Sequence, residues 1–438
     1  GPLLGRSADW GRAIRYSGEA HLLTFAATGQ GKGVGAVIPN LLDHPGSVLA
    51  IDPKGENARV SAPWRRDRLG QAVHVLDPWN LSGQGGAAFN PLDWIVDSDP
   101  DHEAHAARIA DALVEARSDK DPHWDEQAKS LIRALILYVA FEEPDGHRHL
   151  LRVARLLRLS GEAFGELLET MQGSARAPIA EAGGSFAGTP ERELGSILST
   201  ARRHTEWLAI GRGRFEPVLT RSTFDPKDLK GSRPVSVFLV LPESEMGNYG
   251  RWLRLMVTMT LTAMSRIPRV PEHRVLFLLD EAAKLGHLRP VEEGLALMRG
   301  YGVQLWPIFQ DLSQLEALYP RSWQSWIANA GAIQVFGVSD SRTAEFFSRK
   351  AGQQGRAVRT DSRSRSEQEQ SDRASEQESH GFTYVAAPLI RPEEIMQLPG
   401  NSELIFFAGE QPAHARKLRY YDDRLFVGRF DPSWREKP

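Results

Sequence analysis

Between an apolar run (Leu22, Leu23, Phe25) and a stretch able to open a helix (Val34 to Leu42), the chain reads Ala26-Ala27-Thr28-Gly29-Gln30-Gly31-Lys32-Gly33. A strand, a glycine loop closing on a lysine, and a helix make a phosphate-binding arrangement. Bare amides and the helix N-terminus wrap a polyphosphate, and the lysine reaches its outer phosphates. The loop departs twice from the full G-x-x-x-x-G-K-[ST] pattern. Ala26 stands where the first glycine belongs, and Gly33 where a Ser or Thr hydroxyl normally binds magnesium. Far downstream, Val275-Leu276-Phe277-Leu278-Leu279 closes on Asp280-Glu281. An apolar strand ending in two carboxylates is what a magnesium-dependent ATP hydrolase requires.

Phosphoryl transfer needs charge stabilised on the moving phosphate and a water held for attack. In a parallel sheet such groups gather at the C-terminal strand ends. Four predicted strands end suitably: in the phosphate loop, in Asp52-Pro53-Lys54-Gly55-Glu56, in Asp280-Glu281 and in Gln310. ATP is expected to lie against Thr28, Gly29, Gln30, Gly31, Lys32, Gly33 and Val34, with Mg2+ on Asp280 and supported by Asp52. Glu281 is expected to polarise the attacking water, with Gln310 hydrogen-bonded to that water or to the γ-phosphate. Arg342, or Arg349 beside it, is a candidate arginine supplied to a neighbouring subunit's site. Blander readings stand beside these: a strand-end turn for Asp52, a helix-capping role for Gln310 and a solvated helix face for the two arginines.

The elements that must position these groups follow from patterning. The 438 residues carry 53 basic and 56 acidic side chains and no cysteine. Any nucleic-acid surface must therefore concentrate its charge locally, and thiolate metal sites and disulfides are excluded. Short apolar strands at Ser47–Ile51, Val235–Leu241, Val275–Leu279, Val303–Phe309, Ala332–Val338 and Glu403–Ala408 alternate with helices at Tyr249–Ile267, Val291–Arg299, Leu312–Ala328 and Ser341–Lys350. That alternation predicts a largely parallel sheet covered on both faces. Between them, His102 to about Thr205 is rich in Ala, Leu, Arg and Glu with helical apolar spacing, which predicts an all-helical insert. Gly173 to Pro190 reads as a loop within it. Expected divisions are 1–98 and 216–438 for the nucleotide-binding domain and 99–215 for the helical domain. Residues 353–381, nearly all Ser, Arg, Glu, Gln and Asp, are expected to form a disordered loop. His102, His105, His147 and His149 read as surface histidines, and Trp94, Trp124 and Trp207 as packing for the insert. No apolar run approaches the roughly 20 residues of a membrane helix. Gly1-Pro2-Leu3 resembles a protease-cleavage scar, which leaves room for a membrane segment ahead of it.

The stretch from His21 to Glu56, with "GKGVG…IPNLL" and "DPKGE", resembles the coupling-protein ATPases of type IV secretion and conjugation (TraG/TraD type). So do "FNPLD" at Phe89–Asp93, "HWDEQAKSLI" at His123–Ile132, "FLLDEAAKLG" at Phe277–Gly286, "FQDLSQLEALY" at Phe309–Tyr319 and the later "SDSRTAEFFS". The resemblance implies an α/β fold: a RecA-like P-loop domain with a mainly parallel sheet and an inserted all-α domain that helps receive cargo. It further implies a hexameric ring on the cytoplasmic face of the bacterial inner membrane, anchored by a missing N-terminal segment. The ring would bring single-stranded DNA with its relaxase, or effector proteins, to other type IV secretion components. Two alternatives stand against this motor: a docking platform that binds nucleotide with little turnover, kept open by Gly33, and a double-stranded DNA translocase of the segregation type.

Overall fold

A computed structural model describes residues 1–115, 123–366 and 375–432. Its main sheet has eleven strands in the order β2-β1-β13-β12-β9-β3-β8-β7-β4-β6-β5. Their ranges are β1 Leu3–Ser7, β2 Ala13–Arg15, β3 His21–Ala26, β4 Val48–Asp52, β5 Ala72–Leu76, β6 Val235–Val240, β7 Val275–Leu279, β8 Val303–Phe309, β9 Ala330–Phe336, β12 Ser402–Phe407 and β13 Ala413–Arg416. From β9 to β5 every pairing is parallel, and β12, β13, β1 and β2 extend one edge antiparallel. The central strands β3, β4, β6, β7, β8 and β9 are buried along their whole length. This is why they read as continuous apolar runs rather than alternating ones.

Side-chain alternation then builds two cores. Leu22, Ala26, Val48, Ala50, Leu276 and Leu278 face the helices that follow the phosphate loop and β4, meeting Ala36, Val37, Leu41, Ala58 and Ala62. Leu23, Phe25, Leu49, Phe277 and Leu279 face the other way. Their core runs without a break through Trp252 and Leu255 of the helix Met246–Arg266 into Ile109, Leu135, Phe164 and Trp207 of the helical block. That block lies between β5 and β6 and runs from the helix His102–Leu113 to the helix Arg212–Leu219.

Four local expectations are corrected. The predicted loop at 173–190 contains a helix, Ala177–Ala187. Gly183 serves close packing: a Cβ there would stand 2.5 Å from the backbone nitrogen of Gln172 in the helix Gly161–Gln172. The single helix expected at 312–328 is two, Leu312–Leu318 and Trp323–Asn329. Pro320 separates them, because it lacks an amide and disfavours a helical Tyr319. The stretch expected to be a disordered loop supplies β10 Gln353–Ser366 and β11 Ser375–Pro388, an antiparallel ribbon outside the main sheet. A hairpin ladder satisfies its backbone without a core, so composition alone did not reveal it; residues 367–374 lie outside the described ones. Finally, His105 is buried, with Nε2 3.2 Å from Asp99 Oδ2 and also against Arg266. An ion-pair network, invisible in spacing, draws it inward.

Gly183→Ala is expected to lower stability by about 1–3 kcal/mol, because the backbone facing the new methyl cannot step aside. Chemical denaturation of the variant against the parent measures it, and an unchanged midpoint would contradict the packing described.

Candidate active site

Lys32, Gln310 and Asp280 with Glu281 follow β3, β8 and β7, and Asp52 ends β4; these strands are consecutive neighbours in the sheet. The four polar strand ends thus stand in a row along one edge of the sheet, at the C-terminal ends of parallel strands. After β3, Gly29 and Gly31 both take φ of 81°, a backbone region open to glycine at little cost. The helix opens with a widened turn, in which the Ile38 amide donates to Gly33 O. Such wide turns recur at functional sites. Among the described residues the amides of Gly29, Gly31 and Lys32 meet no protein acceptor, whereas Gln30 N donates to Ala27 O at 3.2 Å.

Lys32 Nζ lies 2.9 Å from Asp280 Oδ1 and also pairs with Glu281 Oε1. Gln310 Nε2 donates to the other Glu281 oxygen at 3.2 Å. Burial opposes the Lys32 ammonium, but Asp280 and Glu281 together outweigh it and hold its pKa above the usual lysine value. Burial pushes Asp280 up, and Lys32 offsets only part of that. Glu281 has φ 53° and ψ 42°. A left-handed glutamate is strained by about 1 kcal/mol or more, and such strain concentrates at working sites. The turn directs the carboxylate back toward Lys32 and Gln310.

The remaining candidates fall differently. Asp52 is buried; its carboxylate accepts from Lys54 N at 3.3 Å and Ala58 N at 2.8 Å. Desolvation lifts its pKa to about 7 despite those bonds, and Asp280 adds to the rise. Its hydrogen bonds are those of a strand-end turn, beside rather than within the lysine cluster. Gln310 does not cap the next helix, since Asp311 does so by accepting from Gln314 N. Thr28 is exposed at the loop tip, and Val34 O accepts from Tyr420 N at 3.2 Å. A Cβ at Gly33 would meet nothing within 4 Å. Arg342 is exposed and pairs with Glu316 at 2.7 Å, outside the Lys32 cluster; with Arg349 it lines a surface cleft beside Trp323 and Phe346. Two neighbours escaped the sequence reading, Lys417 and Tyr420. They follow β13 and reach the loop from almost the opposite end of the chain, with no motif to mark them.

ATP and Mg2+ fit these residues. The loop offers free amides and a cation. Among the described residues no group of three or more His, Asp or Glu side chains could cage an ion. A magnesium here would accordingly take most ligands from water and phosphate, as that ion usually does, with Asp280 the carboxylate at hand.

The fold and site define a RecA-like P-loop protein with an added helical domain. A model of the type IV secretory system conjugative DNA transfer family matches residues 5–434, and the chain belongs to that family. It is 29% identical to conjugal transfer protein TraG of Escherichia coli, over 95% of this chain and 69% of that one. It is 27% identical to the type IV secretion system-coupling protein VirD4 of Bartonella quintana, over 95% and 66%, and 29% identical to protein VirD4 of Agrobacterium fabrum, over 98% and 64%. The chain thus spans about two thirds of these relatives' length. In fold it is similar to the bacterial conjugative coupling protein TrwBdeltaN70, with TM-score 0.72 at 20% identity, covering 94% of this chain and 89% of that one. The plasmid coupling protein TrwB in complex with the ATP analogue ADPNP matches with TM-score 0.69 at 20% identity, covering 92% and 86%.

Lys32→Met is expected to cost about 3 kcal/mol near neutral pH by stranding two buried acids. Those acids then hold protons more tightly in the fold than in the unfolded chain, so the variant's stability falls as pH rises and recovers in acid. Denaturation curves on either side of neutrality would show the difference; an equal loss at both would refute the ion-pair account.

Proposed function

We propose that this chain is the nucleotide-hydrolysing part of a coupling protein of a type IV secretion or conjugation system. The observation that carries this reading is the cluster itself: a phosphate-loop lysine held between two strand-end carboxylates, with a glutamine on the second one. Family membership supports the coupling role, and the TrwB complexes with ADPNP and with ADP and Mg2+ support the choice of nucleotide. Lys32 and the loop amides bind and orient the polyphosphate. A lysine shared with phosphate oxygens loosens its hold on Glu281. The Glu281 carboxylate, kept in place by Gln310, takes a proton from water as that water's oxygen bonds to the γ-phosphorus and the bond to the β-phosphate oxygen breaks, releasing phosphate and nucleoside diphosphate. Bound Mg2+ supplies neutralisation of charge on the phosphate oxygens. Asp280 would hold that ion, with Asp52 in support, and Arg342 would act toward a neighbouring subunit.

On this reading the protein works as a hexamer at the cytoplasmic face of the inner membrane, anchored by a segment outside this chain. Among the described residues no helix is long and apolar enough to cross a membrane. The cargo is single-stranded DNA with its relaxase, or an effector protein, and residues 99–215 form the domain that receives it for the other secretion components.

Glu281→Gln is expected to cut phosphate release by roughly a hundredfold or more while nucleotide binding persists, the usual weight of a general base. Phosphate release alongside fluorescent-nucleotide titration tests this, and an unchanged rate ends the catalytic assignment. One observation favours a platform with little turnover: Gly33 offers magnesium no hydroxyl. Because a Cβ there meets open space, Gly33→Ser is expected to fold normally and to tighten Mg2+ dependence of nucleotide binding. If wild-type turnover is negligible and Gly33→Ser restores it, the platform reading replaces the motor.

A further inference from the structure

The segment leaving β13 runs back over the phosphate loop. Lys417 Nζ lies 3.2 Å from both Gln30 O and Gln30 Oε1, with its charge 4.8 Å from the centre of the Phe336 ring. Leu418 O stands 3.0 Å from where a Cβ on Gly35 would sit. Tyr420 bonds Val34 O through its amide and reaches Glu56 Oε1 at 3.4 Å through its hydroxyl. Tyr420 is fully buried, with Phe426, against Ile38, Leu42 and Val60 of the two helices behind the loop. This anchors the segment while Lys417 extends to the loop itself.

Gln30 lies between two left-handed glycines, the most freely rotating neighbours a peptide can have. Its amide has a local partner in Ala27 O, but its carbonyl and side chain are bonded by Lys417. We propose that Lys417 is a positioning residue of the phosphate loop. Its ammonium fixes the Gln30 peptide, and with it the turn that keeps the amides of Gly29, Gly31 and Lys32 free for a polyphosphate. The loop is thereby ordered before ligand arrives rather than at the ligand's expense. This rests on the reading of the cleft as a nucleotide site.

The surroundings make the brace titratable. Burial holds Lys417 down to about 8; the fully buried Glu403 of β12 pulls upward and Arg419 pushes down. Glu403 Oε2 accepts from Gln334, and its Oε1 has no partner among the described residues. Lys417 therefore loses its proton, and with it the charge that strengthens its bonds to two acceptors, at a moderately alkaline pH.

The test is steady-state ATP hydrolysis and fluorescent-nucleotide binding by Lys417→Met and Lys417→Arg across pH, with unfolding midpoints recorded for each. Lys417→Met is expected to raise KM and Kd about tenfold, the cost of ordering roughly one residue at the time of binding, with kcat little changed. In the wild type kcat/KM falls as pH rises through about 8. Lys417→Arg keeps the low KM and loses that alkaline fall, because arginine stays charged. A folded Lys417→Met with wild-type KM and pH profile overturns the inference, as does an alkaline fall that persists unchanged in Lys417→Arg. Should Lys417→Met fail to fold, the Lys417→Arg profile decides alone. A wild-type protein that binds no nucleotide removes the site reading itself, which a mere failure of the variants does not.

Discussion

One ammonium group set between two buried carboxylates governs this molecule. Lys32, Asp280 and Glu281 are all largely withdrawn from water, where an unpaired charge is costly. The three hold each other in place without ligand, yet their charges do not balance. With both acids ionised the cluster is short of one positive charge, while the loop amides beside it face outward as donors. A magnesium-bound polyphosphate would answer both deficits, bringing a cation to the acids and anionic oxygens to the amides. The site's stability and its affinity are therefore two aspects of one electrostatic mismatch.

Only the parallel sheet brings these groups together. Lys32 and Glu281 are 249 positions apart, and Lys417 and Gln30 are 387. The order β3-β8-β7-β4 places four strand ends side by side, and the long excursion of the helical block between β5 and β6 leaves that row undisturbed. The block is more than an appendage. Its helices share one continuous core with the face of the sheet below the site. Because packed cores transmit displacement rather than absorb it, the helical block and the sheet edge that carries the cluster are joined mechanically.

Much of this was legible in one dimension. The strands Val275–Leu279 and Val303–Phe309 stand where their apolar runs put them, since a strand buried on both faces must be apolar throughout. The cluster was legible too: each of its members lies just beyond such a strand or at the end of the loop that follows one. What went unread shares a physical feature. Gly183 marks close helix contact, not a loop; His105 is buried by ion pairing; the strands 353–366 and 375–388 pair through a backbone ladder. None of these leaves a periodic apolar trace.

The sequence by itself determined the chemistry on offer, because strand burial and loop conformation are local consequences of residue type: a glycine loop with Lys32, acids at Asp280 and Glu281, and Gln310 a strand away. The tertiary structure alone decided how those groups are poised. It paired Lys32 with both acids, tied Gln310 to Glu281, turned Asp52 toward the backbone of the turn and helix that follow it, and laid Lys417 across the loop. Each of these depends on which strands become neighbours and on the low dielectric they enclose. Those are long-range properties that no window of sequence contains.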